Sequence, residues 1–533
     1  MCSGWHLSEC SIVRVGNDTQ LPRRRLALAT NPNDSILSQF HALCSDLIDS
    51  ARQAAPGTSA FDMERAIFKR LLAIGAAAMQ AYFEAQAPHF HKQTATDADG
   101  RTLRYCGERR GLFYSVFGEI ALRRSYYCGE RHGFYAMDAA LNLPPNGLSD
   151  FARMLAEELA VDLSYDKAIS YLAKFLRIHP STRSLQEAIG TDSQDVEAFS
   201  EQAPVPAPDA QATIKTVEAD GKGIAMVRPP SETAVPTPGQ AKGERTREGK
   251  TKEATVVSVS THIPFKRTPE QVRNSLFRNR SCVSDDQICD PREKPTFKRY
   301  WATLEGKKKA LAQARDWSDK ITSDSLADQI ALTDGLEALQ RAVDEQFPGY
   351  VRILDLIHAV QYLWKASDAQ FGKNSKKGWT WVFDAVLLML QGKTDQIITQ
   401  LDTWVETIPD RHHAKWKPIE RSATYFEKNL GAMKYDEYLA KGWPIATGII
   451  EGACRHVVKD RCEQSGMRWT EPGAQGLLNL RCVHQNGDWD AYHAFRMQRR
   501  HEHFYGVKLG NTPGVLDTDA FRFSTKQTFA KAA

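Results

Sequence analysis

The run Lys215-Thr216-Val217-Glu218-Ala219-Asp220-Gly221-Lys222-Gly223-Ile224-Ala225-Met226 limits most strongly what this chain can fold into. It opens as an apolar, β-branched stretch that suits a strand. It then breaks at an Asp followed by Gly-Lys-Gly. A strand that stops on a carboxylate beside a glycine turn puts a negative, metal-seeking group at the carboxyl edge of a sheet. Open α/β sheets place their ligands at that edge. Two later stretches carry matching acids: Ala331-Leu332-Thr333-Asp334-Gly335 and the helix-like Thr447-Gly448-Ile449-Ile450-Glu451-Gly452-Ala453-Cys454-Arg455-His456. Asp220, Asp334 and Glu451 are therefore expected to meet and hold divalent metal.

Bulk properties narrow the setting. At 533 residues the chain has room for roughly three domains. Its 69 basic and 65 acidic residues leave a net charge of +4, so any surface for nucleic acid must be local. Ten cysteines without a Cys-x-x-Cys pair argue against a disulfide framework and for a reducing compartment. No window reaches the ~18 apolar residues of a membrane span, since the best run, Trp379 to Gln391, is broken by Asp384. Residues 1–26 lack a signal-peptide core. The expected location is cytoplasmic and nucleoid-associated.

Along the chain, residues 1–34 are polar, with a basic Arg23-Arg24-Arg25 run, and are expected to be poorly ordered. Residues 35–190 form an N-terminal helical and hairpin region. Ile36, Phe40, Leu43 and Leu47 recur at helical steps, as do Ile67, Leu71 and Ile74. Two strands are expected around Gly118, with Cys106, Cys128 and His132 near the hairpin ends; buried thiols or a remnant zinc site both fit. Three short helices follow over 149–189. The third is capped by Ser181 and carries Arg183 and Gln186, so it reads either as a DNA-contacting helix-turn-helix or as a packed helical subdomain. Residues 191–212 are acidic and rich in Pro and Ala, which suggests a linker.

The second half starts at 213. Residues 229–252 read as an exposed loop and Ala254–Ser260 as a strand; 268–330 look mostly helical. Strand–helix–strand–helix alternation from Ile330 to Ser367 is an α/β signal. A core of 213–375 is then expected, with an all-helical stretch at 376–440, a Glu451-bearing part at 441–500 and a tail at 501–533. The fold class is mixed α+β and α/β. His412, His413, His501 and His503 read as surface residues.

Asp220 and Asp334 each end a short apolar run and precede Gly. On neighbouring strands their charges would repel, which raises a pKa or demands a cation. Hard oxygen ligands select Mg²⁺ or Mn²⁺. Two such ions, held with a third carboxylate from Glu451, suit in-line phosphoryl transfer. Asp355 also ends an apolar strand and competes with Asp334 as the second ligand.

The order Asp-Gly-Lys-Gly, Thr-Asp-Gly, Phe347-Pro348, Ile353-Leu354-Asp355-Leu356-Ile357-His358 and a Gly-Ile-Ile-Glu helix resembles the DDE transposases of bacterial insertion sequences, closest to the ISKra group and related to Mutator and hAT elements. The most specific part is Glu451 to His456, Lys459-Asp460-Arg461, Ser465 to Trp469, Gly473-Ala474-Gln475 and Asn486 to Trp489. The resemblance covers about residues 35–500. It implies an RNase H-like catalytic domain with an all-helical insertion between the second Asp and the Glu. It also implies two Mg²⁺ or Mn²⁺ ions on Asp220, Asp334 and Glu451, and double-stranded DNA as partner at transposon ends and target. At least a dimer on DNA is implied as well. The Asp355-x-x-His358 element resembles a signature of the Mutator and hAT families, with His358 ordering the site or contacting phosphate. A Cys-x-x-Cys pair expected near 128–132 is missing.

Further expected DNA contacts are Arg455 and Lys459, four residues apart on the Glu451 helix face, and Arg468 with Trp469, whose ring could stack on a base or belong to the core. The rival readings are an RNase H-like metal nuclease without strand transfer and a non-catalytic DNA-binding protein derived from a transposase.

Overall fold

The computed structural model describes residues 32–97, 100–129, 133–203, 205, 207–227, 251–278, 292–323, 325–408, 410 and 414–505. The Arg23-Arg24-Arg25 run, His132, residues 228–250 of the expected loop, His412, His413 and the tail beyond 505 lie outside them. The described chain is mixed α+β, with two sheets and a majority of helix.

The first sheet is antiparallel, in the order β1 (Thr94–Thr96), β2 (Thr102–Ser115), β3 (Gly118–Cys128), β4 (Gly133–Tyr135). Gly118 turns the central hairpin with φ +111°, a left-handed value that L side chains rarely adopt. Two helices precede the sheet, α1 (Pro32–Arg52) and α2 (Ala60–Gln86). Phe83 of α2 packs with Phe113, Ile120, Leu122, Met137 and Leu143 in a small core. Cys106 and Cys128, expected to be thiols or zinc ligands, are instead joined as a disulfide, with Cα atoms 6.0 Å apart. Cys128 pairs with Arg104, two residues from Cys106, and the β2–β3 register shifts just beyond, between Tyr105 and Glu108.

The second sheet has the order β7–β6–β5–β8–β9, from β5 (Ile214–Ala225), β6 (Thr251–His262), β7 (Phe297–Thr303), β8 (Asp328–Thr333) and β9 (Val351–Leu354). β5, β6 and β7 pair antiparallel, while β5–β8 and β8–β9 are parallel. Every residue from Ile214 to Ala219 is buried, as happens when helices cover both faces. Val217, Ala219 and Ala331 face one core, shared with helices Asp150–Asp162, Lys307–Lys320 and Glu471–Gln485. Ile330, Leu332 and Ile353 face the other, filled by Leu356–Phe371, Lys376–Leu390, Thr394–Glu406, Trp416–Asn429 and Tyr435–Lys441.

Two sequence expectations need correction. Residues 268–330 contain β7, whose Arg299 to Thr303 are buried and hydrogen-bonded to β6. Residues 191–212 do not form a linker: a helix, Val196–Gln202, occupies that stretch. Val196, Phe199, Ala203 and Ala212 join the same core as the second sheet. The three short helices of 149–189 are present, at Asp150–Asp162, Tyr165–Phe175 and Thr182–Asp192. No helix among the described residues is long and apolar enough to cross a membrane.

Candidate metal centre

The parallel register sets the site. β5 meets β8 at Glu218↔Leu332, and β8 meets β9 at Thr333↔Leu354. Asp334 and Asp355 follow those last pairs directly, and the Asp355 N–H donates to the Thr333 carbonyl at 2.9 Å. Asp220 lies two residues beyond Glu218 on β5. Asp334 and Asp355 thus leave the ends of β8 and β9, whereas the strand stop expected at Asp220 does not occur: β5 stays paired with β6 through Gly221-Lys222-Gly223 to Ala225, and Asp220 points out from within it beside the other two.

Each is fixed locally. Asp220 Oδ1 accepts from the Gly221 N–H at 2.7 Å, and the Cys454 thiol lies 3.5 Å from its Oδ2. Asp334 Oδ1 accepts from the Leu336 N–H at 2.9 Å, while the Tyr425 hydroxyl donates to the Asp334 carbonyl at 2.9 Å. Gly335, with φ +88°, packs under the Tyr425 ring; an added Cβ would lie 2.7 Å from it. Asp355 is fully buried and caps the helix Leu356–Phe371. Its Oδ1 accepts from the Ile357 and Thr447 N–H groups, and its Oδ2 from the His358 N–H and, at 2.6 Å, from His358 Nδ1.

Glu451 arrives on the short helix Gly448–Ala453. Thr447 precedes it as expected, but its side chain makes no cap bond. Glu218 does that work, because its Oε2 accepts from the Ile450 N–H at 2.9 Å. This residue was missed in the sequence. Its only signal there is an acid at an otherwise apolar strand position, two residues before Asp220.

Among the described residues, ligand atoms of Asp355, His358 and Glu451 all lie within 4.8 Å of one another. Asp220 and Asp334 stand beside this group without joining it. Electrostatics tie all of them together. Burial, then Asp220, lifts Asp334 above the usual carboxylate range. Burial, then Asp355, does the same to Glu451. Glu218 is pushed up to about 8 by burial, with Asp355 and Glu451 adding to it. Burial opposes the ionised form of Asp355, yet bonds from His358 and Thr447 hold it below the usual range. The hydrogen bond to Asp355 in turn raises His358. Carboxylates crowded at a half-buried edge with one imidazole carry more negative charge than the protein neutralises. Such an oxygen-rich set fits Mg²⁺ or Mn²⁺.

The expected DNA contacts divide. After Ala453 the helix widens into a π-helical segment, Cys454–Lys459. Arg455 and Lys459 lie on this segment, four and eight residues after the exposed Glu451. Both are exposed, and Arg455 Nε lies 3.6 Å from Asp460, five residues on. Trp469 is a core residue: it is buried beside Tyr165 and Arg461, and its indole donates to the Cys462 carbonyl at 3.1 Å. Arg468 is exposed. Arg183 and Gln186 are exposed on the third short helix, where Ser181 caps as expected and Arg183 pairs with Glu187 at 2.8 Å. His501, expected at the surface, is buried.

No protein-family model matches this chain, and no curated protein matches it.

Proposed function

We propose that the chain is a DNA transposase whose second sheet is an RNase H-like core, with the helices between Lys376 and Lys441 as its insertion. The observation that carries this reading is the convergence of Asp220, Asp334, Asp355 and Glu451 at one sheet edge, close enough that Asp220 raises Asp334 and that Asp355 and Asp220 raise Glu451 across long sequence separations. The strand order, with three antiparallel strands followed by two parallel ones, supports it. So does the order of motifs from Asp-Gly-Lys-Gly to the Gly-Ile-Ile-Glu helix.

Two divalent ions bound there would activate a water or 3′-hydroxyl as nucleophile and neutralise the leaving 3′ oxygen. The chain's residues divide the remaining work. Asp220 offers oxygens from within β5, Asp334 from the end of β8, and Glu451 from its helix. Asp334 is the better second ligand because both Asp355 oxygens are already taken by protein donors, whereas only one Asp334 oxygen is. The tight grouping of Asp355 with His358 and Glu451 is then a positioning device. It aims His358, whose raised pKa favours a charged ring, at a DNA phosphate. Exposed Arg183, Gln186, Arg455, Lys459 and Arg468 supply contacts to duplex DNA, and the working species is at least a dimer on two transposon ends in the nucleoid.

The test is Mg²⁺-dependent cleavage of duplex DNA taken from both sides of the coding sequence, and joining of pre-cut 3′-hydroxyl ends. Asp220→Asn, Asp334→Asn and Glu451→Gln should each lower cleavage at least about a hundredfold, because an ion contributes several kcal/mol to such a transition state. An active Asp334→Asn beside a dead Asp355→Asn would move the second ligand to Asp355. Cleavage without joining would leave a metal nuclease.

A further inference from the structure

α2 is buried against the first sheet along only part of its length. Its C-terminal half is seated: Gly75 closes onto the Phe117 ring, where an added Cβ would lie 2.5 Å away. Gln80 bonds both the N–H and the carbonyl of Ala121 at 3.0 Å, and Phe83 meets Phe113 edge-on with centroids 5.1 Å apart. Phe61, Phe68 and Gly75 are spaced by seven, which puts them on one stripe of the helix. The N-terminal half of that stripe is bare. Phe61 is 69% exposed, Phe68 43% and Leu71 49%; Ile48 on the antiparallel α1 is 51% exposed. Arg70 pairs with Asp46 at 2.9 Å, which ties the two helices side by side. Among the described side chains of α1 and α2, only Phe83 is buried. A two-helix hairpin on its own cannot enclose a core, whereas four helices can.

We propose that the α1–α2 hairpin docks on the same hairpin of a second copy of this chain, forming a two-fold, four-helix bundle around Phe61, Phe68, Leu71 and Ile48. The four side chains offer on the order of 400 Å² of apolar surface, about the apolar share of the ~800 Å² each partner buries in a standard interface. Charge fits a self-complementary contact. Exposed Glu64 and Arg65 flank the stripe with opposite signs, so a two-fold axis running along the helices brings Glu64 of one copy toward Arg65 of the other. That mixed flank does not suit nucleic acid, which needs an excess of positive charge.

The experiment is light scattering on the full chain at micromolar concentration without DNA, so its outcome is independent of the catalytic reading. A dimer mass is expected. Phe61→Glu with Phe68→Glu should give a monomer of unchanged helicity by circular dichroism. Glu64→Arg and Arg65→Glu should each weaken self-association a few-fold, as exposed ion pairs do, and the double reversal should restore it. A monomeric full chain would overturn the proposal, as would a dimer indifferent to the double Phe variant. A monomer that dimerises only when residues 1–31 are removed would assign the stripe to the chain's own N-terminal segment.

Discussion

Glu218 buries a carboxylate beneath the site and takes the Ile450 N–H that the Thr447 side chain leaves unbonded. Glu218→Gln keeps an oxygen acceptor there, whereas Glu218→Leu leaves a buried N–H without a partner. The Leu variant should lose about 1–3 kcal/mol by denaturant unfolding and bind Mn²⁺ more weakly, with the Gln variant close to the parent; equal behaviour of the two would remove the capping role. Asp355 gives a contrasting expectation. Asp355→Asn breaks charge-assisted bonds to His358 and Thr447 and should destabilise the chain by about 1.5–3 kcal/mol, while Asp334→Asn should leave stability nearly unchanged and affect metal alone. Asp220, Asp334 and Asp355 were legible because each follows a short apolar run, although β5 continues past Asp220 to Ala225. Glu218 was not, since one buried acid inside a strand carries no spacing signal and its partner lies 232 residues away. Trp469 shows the converse: an aromatic beside an arginine looks like a nucleic-acid contact until its core neighbours are known.

Among the elements, β5, β6, β8 and β9 announced themselves through β-branched and apolar runs, but β5 runs on to Ala225 through the Gly-Lys-Gly expected to end it, because β6 pairs with it over that whole length. β7 did not. Phe297 to Thr303 mixes Lys298, Arg299 and aromatics without strict alternation, because helix Glu471–Gln485 and β6 cover it on several sides. The π-helical segment after Ala453 was equally hidden. The turn after Asp334 is sharper in its demands. Gly335→Ala puts a Cβ 2.7 Å from the Tyr425 ring at φ +88°, so it should displace Asp334, destabilise the chain by about 1–3 kcal/mol and weaken Mn²⁺ binding. His262 closes β6, bonded to Ser260 at 2.9 Å and Thr216 at 3.1 Å. Burial, helped by Arg292, lowers its pKa to about 3. The unfolded chain, with a histidine pKa near ~6.5, then binds a proton that the folded chain refuses. This contribution to stability is present above about 6.5 and lost as pH falls toward 3, at up to ~1.4 kcal/mol per pH unit. Unfolding followed from pH 7 to 4 should show a flatter decline for His262→Gln; an unchanged slope would mean His262 titrates normally.

At the scale of the whole molecule, the sheet stands between two helical layers, and the helices between Asp150 and Gln202 share the core of one of them. Composition suggested a linker at 191–212, because Pro and Ala dominate it. The burial of Val196 and Phe199 decides otherwise, and such packing cannot be read from composition. Arg183 and Gln186 sit on one helix, Thr182–Asp192, whose Leu185 and Ile189 share a core with Ile450 and Ala453 of the helix that carries Glu451. The central claim is that these acids form a divalent-cation site. Mn²⁺ binding followed by electron paramagnetic resonance tests it most directly, comparing the parent chain with Asp220→Asn and Glu451→Gln. Two ions per chain, with at least one lost in each variant, is the expected result; no specific Mn²⁺ binding, or binding indifferent to both substitutions, would contradict the account.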